Sequence, residues 1–213
     1  IVALLAAAAL FFAGFALSRL WQYGDRGGRD LSFGALIALL VLAPFGLAAY
    51  WVATYPPLRD ITTDLDDPPP LATAAERTSE MNVLASPTPG ERRLQAESYP
   101  LVAGRRYDLP FDVVVHSVTD VLDRRGWRLA APVPAAEAAQ GNLVIAAVAP
   151  SFILELPTDV AIRIASADET TLVDMRSASR YGRHDLGDNA ARIIDFLAEL
   201  DQQINGQIGA AAQ

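Results

Sequence analysis

Val160-Ala161-Ile162-Arg163-Ile164-Ala165-Ser166-Ala167-Asp168-Glu169-Thr170-Thr171-Leu172-Val173-Asp174-Met175 is the stretch that decides the fold of the C-terminal half. Val160, Ile162 and Ile164 alternate with Ala161, Arg163 and Ala165, the period of a half-buried strand. With Asp168-Glu169 as a two-residue turn, Ile164 faces Val173 and Ile162 faces Met175. The same register sets Arg163 opposite Asp174 on the other face. Apolar pairs on one side and opposite charges on the other are the pattern of an antiparallel hairpin with one buried face. Asp-Glu lacks the Asn-Gly or Gly character of primed turns, so a longer loop is the competing reading.

Working outward, Asn142 to Ala149 and Phe152 to Leu156 read as two more short strands, bounded by Gly141, Pro150 and Pro157. Earlier still, Pro110 opens a helical pattern with Val114, Val118, Val121 and Leu122 on one face. Gly126 closes it before Trp127. Downstream, Asp188 to Ile204 carries Ile193, Leu197, Leu200 and Ile204 along one stripe of a final helix. Antiparallel strands packed with helices make a small α+β domain, expected over 98–206 with a tail at 207–213.

The N-terminal quarter is a different material. Leu31 to Thr54 holds no charged residue. At about 1.5 Å per helical residue, it is long enough to cross a hydrocarbon core of roughly 30 Å. Ile1 to Leu17 is a second apolar run, read as a retained span in preference to a signal peptide. Together, 1–54 is expected to form a two-helix transmembrane hairpin, with Gly14/Ser18 and Ala49/Ala53 as small-residue contact points and Pro44 with Gly46 as a kink. Residues 55–97, with Pro56, Pro57, Pro68 to Pro70, Pro87 and Pro89, read as an extended tether of polyproline character. Asp64, Asp66 and Asp67 within it read as a solvated acidic turn, since the glycine and terminal glutamate of a calcium loop are missing.

Charge orients this arrangement. Ser18 to Asp30 carries Arg19, Arg26 and Arg29, whereas Arg59 beyond the second span is outnumbered by Asp60, Asp64, Asp66 and Asp67. The positive-inside rule places the short loop in the cytoplasm and the C-terminal domain in the periplasm of a bacterial inner membrane. Trp21 and Tyr23 mark one interface, and Tyr50, Trp51 and Tyr55 the other. Neither span carries a charge or a histidine, so no proton relay, ion path or haem ligation is expected of them.

From Tyr55 onward, 23 acidic residues face 14 arginines, a balance that argues against nucleic-acid binding. The chain has no cysteine, which removes disulfides, thiolate nucleophiles and iron–sulfur ligation. With two histidines, a zinc site would need carboxylates to complete it, and His116 reads as a surface residue of a helix. No metal and no cofactor is expected.

The densest polar run is Arg176-Ser-Ala-Ser-Arg180-Tyr-Gly-Arg183-His184-Asp185-Leu-Gly187-Asp188-Asn189, followed by Arg192-Ile193. One reading is a structural clasp. Asp185 or Asp188 then caps the last helix, Gly182 and Gly187 allow tight turns, and the arginines pair with carboxylates. A second is an anion or small-ligand site, with Arg176, Arg180 and Arg183 converging on the helix N-terminus. A third, hydrolysis through Ser177 or Ser179 with His184 and Asp185, lacks a nucleophile elbow and draws its partners from adjacent positions. Arg176, Ser177, Ser179, Arg180, Arg183, His184, Asp185, Asn189 and Arg192 are the candidate residues, and none is assigned as catalytic.

This run resembles the domain of unknown function 1499 family of bacteria and plastids. Its pattern R-S-x-S-R-x-G-x-x-D-x-G-x-N-x-x-R-I is matched by Arg176, Ser177, Ser179, Arg180, Gly182, Asp185, Gly187, Asn189, Arg192 and Ile193. Asp60-Ile-Thr-Thr-Asp64 between prolines is similar to the tether of membrane-attached members, and the likeness covers roughly Pro56 to Leu200. Many relatives carry cysteines near the domain start; this chain has none. The resemblance implies an architecture and no established activity. The expectation is a non-catalytic accessory or structural subunit, its partners the lipid bilayer and other integral-membrane subunits. Plastid relatives point to an energy-transducing host, photosynthetic or respiratory. The competing expectation is a periplasmic anion or small-ligand binding protein, or an envelope enzyme, built on the arginine-rich run.

Overall fold

Alternation over the hairpin produces two long strands, β5 (Pro157–Ala167) and β6 (Thr170–Ser179), in a computed structural model that describes residues 2–23, 28–71, 81–82, 86–134, 138–152 and 154–211. Ala167 pairs with Thr170, so Asp168-Glu169 is the two-residue turn. Asp168 reaches φ +55°, a backbone that aspartate tolerates better than most residues. Ile164 faces Val173, Ile162 faces Met175 and Arg163 faces Asp174, the register expected from the sequence. Strand β4 (Asn142–Pro150) pairs antiparallel with β5, and the short β3 (Arg128–Leu129) extends that side. At the other edge β6 receives two short strands, β1 (Asp60–Thr62) near its C-terminal end and β2 (Arg105–Tyr107) near its start.

One face of this antiparallel sheet is covered by helices. Helix α4 (Phe111–Arg124) presents Val114, Val118, Val121 and Leu122, and α5 (Asp188–Ala211) presents Ile193, Phe196, Leu197, Leu200 and Ile204. They pack on Leu143, Ile145, Val160, Ile162, Ile164, Val173 and Met175, all fully buried. Helix α4 ends in a Schellman motif at Gly126, φ +64°: Gly126 N–H donates to Asp123 and Trp127 N–H to Leu122. Trp127 then stacks on Phe196 with ring centroids 5.4 Å apart, which ties the end of α4 to α5. The result is an α+β domain, as the sequence pattern implies.

Three assignments change. Phe152 to Leu156 is not a strand: Pro150 pairs with Pro157, so these residues form the connection that reverses the chain from β4 to β5. The final helix runs to Ala211 rather than Ile204, continuing through Asn205-Gly206 and Gly209. The largest change concerns 55–97. The C-terminal compact unit begins at Pro56, not near Tyr99. Leu58 and Ile61 are core residues, β1 joins the sheet, and α3 (Pro89–Ser98) closes its edge. Helix α3 starts with a capping box in which Thr88 and Glu91 satisfy each other's backbone N–H groups. From α3, Gln95 accepts from Thr62 N–H at 3.2 Å and donates to Thr62 C=O at 2.6 Å, standing in for the next strand. Proline density masked this structure, since a three-residue edge strand has no periodicity to read. The tether residues 72–80 and 83–85 lie outside the described residues, as does the end of the expected tail at 212–213.

Residues 1–55 form the other unit, a hairpin of α1 (Val2–Tyr23) and α2 (Gly28–Thr54). Both helices are long and apolar enough to cross a membrane. Helix α1 extends past the expected Leu17 because nothing in Ser18 to Tyr23 breaks a helix, and Arg19 lies over the Tyr23 ring at 5.0 Å. Loop residues Gly24, Arg26 and Gly27 lie outside the described residues. Ala6 and Ala38, not Gly14/Ser18 or Ala49/Ala53, are the buried small residues. Partly buried Ala3, Leu10 and Ala13 on α1, and Leu31, Ala35, Val41 and Leu42 on α2, extend each stripe at three- and four-residue steps. Phe11, Phe12, Phe15, Phe33, Leu39 and Leu40 point outward and are exposed. So much contiguous exposed apolar surface suits lipid rather than water.

Candidate functional site

The arginine-rich run begins in the last turns of β6, where residue parity sends its side chains to opposite faces of the sheet. Ser177 and Ser179 share the helix-covered face with Met175. Arg176 and Arg180 share the opposite face with Asp174. They therefore belong to two different polar networks.

On the helix-covered face the hub is Asn189, which is fully buried in the first turn of α5. Its Oδ1 accepts from Ser177 Oγ at 2.7 Å and from Arg192 Nη1 at 2.8 Å. Its Nδ2 donates to Arg59 C=O and Ser179 Oγ, each at 3.0 Å. Arg192 is buried in turn and donates to Asp188 Oδ2 at 2.5 Å and Pro150 C=O at 2.9 Å. One asparagine and one arginine thus fasten β1, β4 and β6 to α5.

Asp185 shapes the entry to that helix. Its two carboxylate oxygens accept from Gly187 N–H and Asn189 N–H at 3.0 Å each, as a capping residue does. Gly187 sits at φ +81° and Leu186 at φ +57°, the left-handed turn that folds the backbone around the carboxylate. Asp185 is the capping residue of the two candidates, while Asp188 pairs with Arg192. His184 Nδ1 accepts from Leu186 N–H at 3.0 Å and is only half-buried.

On the opposite face three arginines meet carboxylates. Arg176 makes a bidentate pair with Asp60, Nε to Oδ1 at 2.9 Å and Nη2 to Oδ2 at 2.6 Å. Arg180 Nε donates to Asp159 Oδ1 at 2.9 Å. Its Nη2 lies 2.8 Å from the same oxygen, a charge contact without hydrogen-bond alignment. Arg163 reaches Asp64, Asp67 and Asp174 together. Asp64 also accepts from the backbone N–H groups of Asp66 and Asp67, so the acidic turn is pinned to the sheet rather than merely solvated. Burial raises the Asp64 carboxyl, but those N–H groups and Arg163 outweigh it and hold the group below its ordinary range.

Arg183 alone of the run's arginines is exposed, so Arg176, Arg180 and Arg183 do not converge on the start of α5. Ser177 is closed in by Asn189 and Arg192. Among the described residues, no group of three His, Asp or Glu side chains is arranged to hold a metal. Sequence reasoning missed Asp60, Asp159, Asn82 and Arg59 as members. Asn82 is the most connected of these: it donates from its amide to Ser179 C=O and Gly182 C=O and from its backbone to Arg180 C=O. Asp159 carried a usable signal, since a carboxylate within an otherwise apolar strand requires a cation.

Fold and network together define a two-layer α+β domain whose one sheet end is clasped by buried arginines and amides, preceded by an apolar helical hairpin. The chain belongs to the family described as protein of unknown function (DUF1499), whose model matches residues 60–200. That match starts at the first residue of β1, which agrees with Asp60 being part of the clasp. Its two apolar N-terminal helices fit a membrane-anchored member. No curated protein matches the sequence.

Asp185 gives a test with a defined sign. Burial pushes its carboxyl above the ordinary value of 3.8; the N–H groups of Asn189 and Gly187 oppose this, and Asp188 adds to it. The folded state therefore binds the proton more tightly than the unfolded one. The contribution of this group is fully present below its unfolded pKa and is lost as pH rises through the folded value. Asp185→Ala, which removes the cap, is expected to cost roughly 1–2 kcal/mol. The gap to wild type should narrow as pH rises above the ordinary carboxyl value of 3.8 in denaturant titrations. A gap that widens with pH contradicts the assignment.

Proposed function

We propose that this protein is a membrane-anchored, non-catalytic accessory subunit that packs against another integral-membrane assembly. The observation that carries this reading is the fate of the polar signature. Its arginines, serines, asparagine and aspartate are bonded to one another, to Asp60 and Asp159 and to the backbone, and Arg183 is the exposed exception. Groups engaged in this way hold a shape rather than a substrate. The apolar hairpin supports an anchor with a packing surface, because its second span carries no charged residue and no histidine between Leu31 and Thr54. The domain belongs on the periplasmic side of a bacterial inner membrane, since arginine is concentrated before α2 and aspartate after it. An energy-transducing complex is the host that the plastid relatives of the family favour.

The test is purification of the intact chain in mild detergent, followed by native mass measurement. A stoichiometric complex with integral-membrane subunits is expected. Recovery as a free monomer in every detergent overturns the subunit reading. A periplasm-dependent reporter fused after Gln213 should be active, and the same reporter inserted at Gly27 silent; the reverse pattern overturns the orientation.

A further inference from the structure

The connection between β4 and β5 exposes Phe152 at 85%, Leu154 at 70% and Leu156 at 40%, the most exposed apolar cluster among the described residues of the C-terminal unit apart from isolated Leu101. These side chains are displayed by a closed turn. Ser151 N–H donates to Leu156 C=O at 2.8 Å, Leu156 N–H donates to Ser151 Oγ at 3.0 Å, and Glu155 N–H donates to Ser151 C=O at 3.1 Å. Glu155 adopts φ +52°, which turns the chain sharply after Leu154. Nothing in the domain's own core requires an apolar residue at Phe152 or Leu154.

The strand register locates this cluster. Strand β4 ends at Pro150 and β5 begins at Pro157, and Thr158 pairs with Ser179 at the end of β6. Strand β1 is antiparallel to β6 and starts at that same end, where Ser179 N–H donates to Arg59 C=O and Asp185 N–H to Leu58 C=O. The chain arriving from α2 thus enters the domain at the sheet end that displays Phe152 and Leu154. With order β1-β6-β5-β4, entry point and cluster are about three strand spacings apart, roughly 14 Å. Between Thr54, the last residue of α2, and buried Leu58 stand only Tyr55, Pro56 and Pro57. That segment spans at most about 14 Å fully extended.

We infer that Phe152 and Leu154 insert into the lipid interface on the side of the membrane where α2 ends. The inference rests on reading α1 and α2 as spans. The occupant is lipid because a covalent leash of three residues brings this sheet end to a bilayer before any diffusing partner. The domain is acidic overall, so the contact is apolar and not a charge attraction, with exposed Arg183 on the β6–α5 connection as the basic group at this end. Glu155 beside Leu154 limits the depth to the headgroup boundary, about 5–10 Å into the interface.

The absence of cysteine makes the test direct. Single variants Phe152→Cys, Glu169→Cys and Leu40→Cys of the full chain carry an environment-sensitive fluorophore. Each is reconstituted in phosphatidylcholine–phosphatidylglycerol vesicles with or without nitroxide-labelled lipid. Glu169 is exposed in the turn at the opposite end of the sheet, about 33 Å from the β4–β5 connection along β5. Leu40 reports whether α2 lies in lipid. The expected result is lipid quenching at 152 severalfold stronger than at 169, with strong quenching at 40. Quenching at 40 but equal, weak quenching at 152 and 169 overturns the inference and leaves the anchor standing. An unquenched probe at 40 overturns both. A blue-shifted probe at 152 that lipid nitroxides do not quench assigns the cluster to a contact with protein, here a second copy of this chain, and also overturns it.

Discussion

Arg180→Ala should unfold the C-terminal domain at ambient temperature or lower its melting temperature sharply, and added phosphate should not rescue it. Arg180 is 4% exposed and Asp159 5%, and the two meet through Nε and Nη2 at 2.9 and 2.8 Å. Truncating one member leaves the other charge buried beside a cavity, a loss of roughly 3–5 kcal/mol. A domain of this size is stabilised by only about 5–15 kcal/mol, so the effect is a large fraction of the whole. The complementary variant Arg180→Leu with Asp159→Leu removes both charges and should recover much of the loss, since apolar replacement of a buried pair is often close to neutral. An anion site predicts the reverse: unpaired arginines repel, so Arg180→Ala would be neutral or stabilising, and phosphate would stabilise wild type alone. Thermal unfolding of the full chain in detergent, with and without phosphate, separates these outcomes. Arg180→Ala as stable as wild type sinks the clasp.

Much of the domain was legible because its long strands and helices write their burial into a period. Val160, Ile162 and Ile164 fix the inner face of β5, and a two-residue turn then leaves one register for β6, down to Arg163 opposite Asp174. Phe152 to Leu156 deceived the same logic, since an exposed apolar loop and a buried strand have the same composition. The distinguishing fact is the pairing of Pro150 with Pro157, which is a tertiary fact. Strand β1 was invisible for another reason. Its evidence lies in the vacant edge of β6 and in Gln95 of α3, and not in Asp60-Ile61-Thr62 themselves.

The candidate site divides along the same line. Local chemistry exposed Asp185 as a cap and gathered Ser177, Asn189 and Arg192 into one list, because all lie within one short stretch of sequence. Their long-range partners stayed hidden. Arg176 finds Asp60 across 116 positions, and Asn82 reaches Ser179 across 97. No spacing rule connects such residues; only the antiparallel placement of β1 beside β6 does. The alternation within β6 had a further consequence that composition conceals: it splits one polar run between two faces, so neighbours in sequence never form a common site.

Asn189→Ala should be the second severe variant, and its pattern of damage is more informative than its size. The side-chain amide can make four hydrogen bonds and makes all four, to Ser177, Arg192, Arg59 C=O and Ser179. Truncation removes all four bonds at once: Arg59 C=O keeps Ser179 N–H and Ser177 Oγ keeps Arg192, but the Ser177 O–H loses its acceptor. At roughly 0.5–1.5 kcal/mol per lost hydrogen bond, a total of about 2–6 kcal/mol is expected. Asn189→Asp keeps the shape but turns an oxygen toward the Arg59 carbonyl, where only a donor fits, so it should fail to rescue. The injury is directional. Strand β1 depends on this amide through Arg59, whereas the α4 end depends on the Schellman turn at Gly126 and the Trp127–Phe196 stack. Hydrogen exchange should therefore accelerate first at Ile61 and at Ser179, whose N–H bonds lie in β1 and its junction with β6, while the amides of α4 keep their protection. Uniform acceleration across the domain means that Asn189 supports the core generally. A loss of no more than about 1 kcal/mol, the size of an ordinary substitution, means that water replaces these bonds at little cost and the hub is not a clasp.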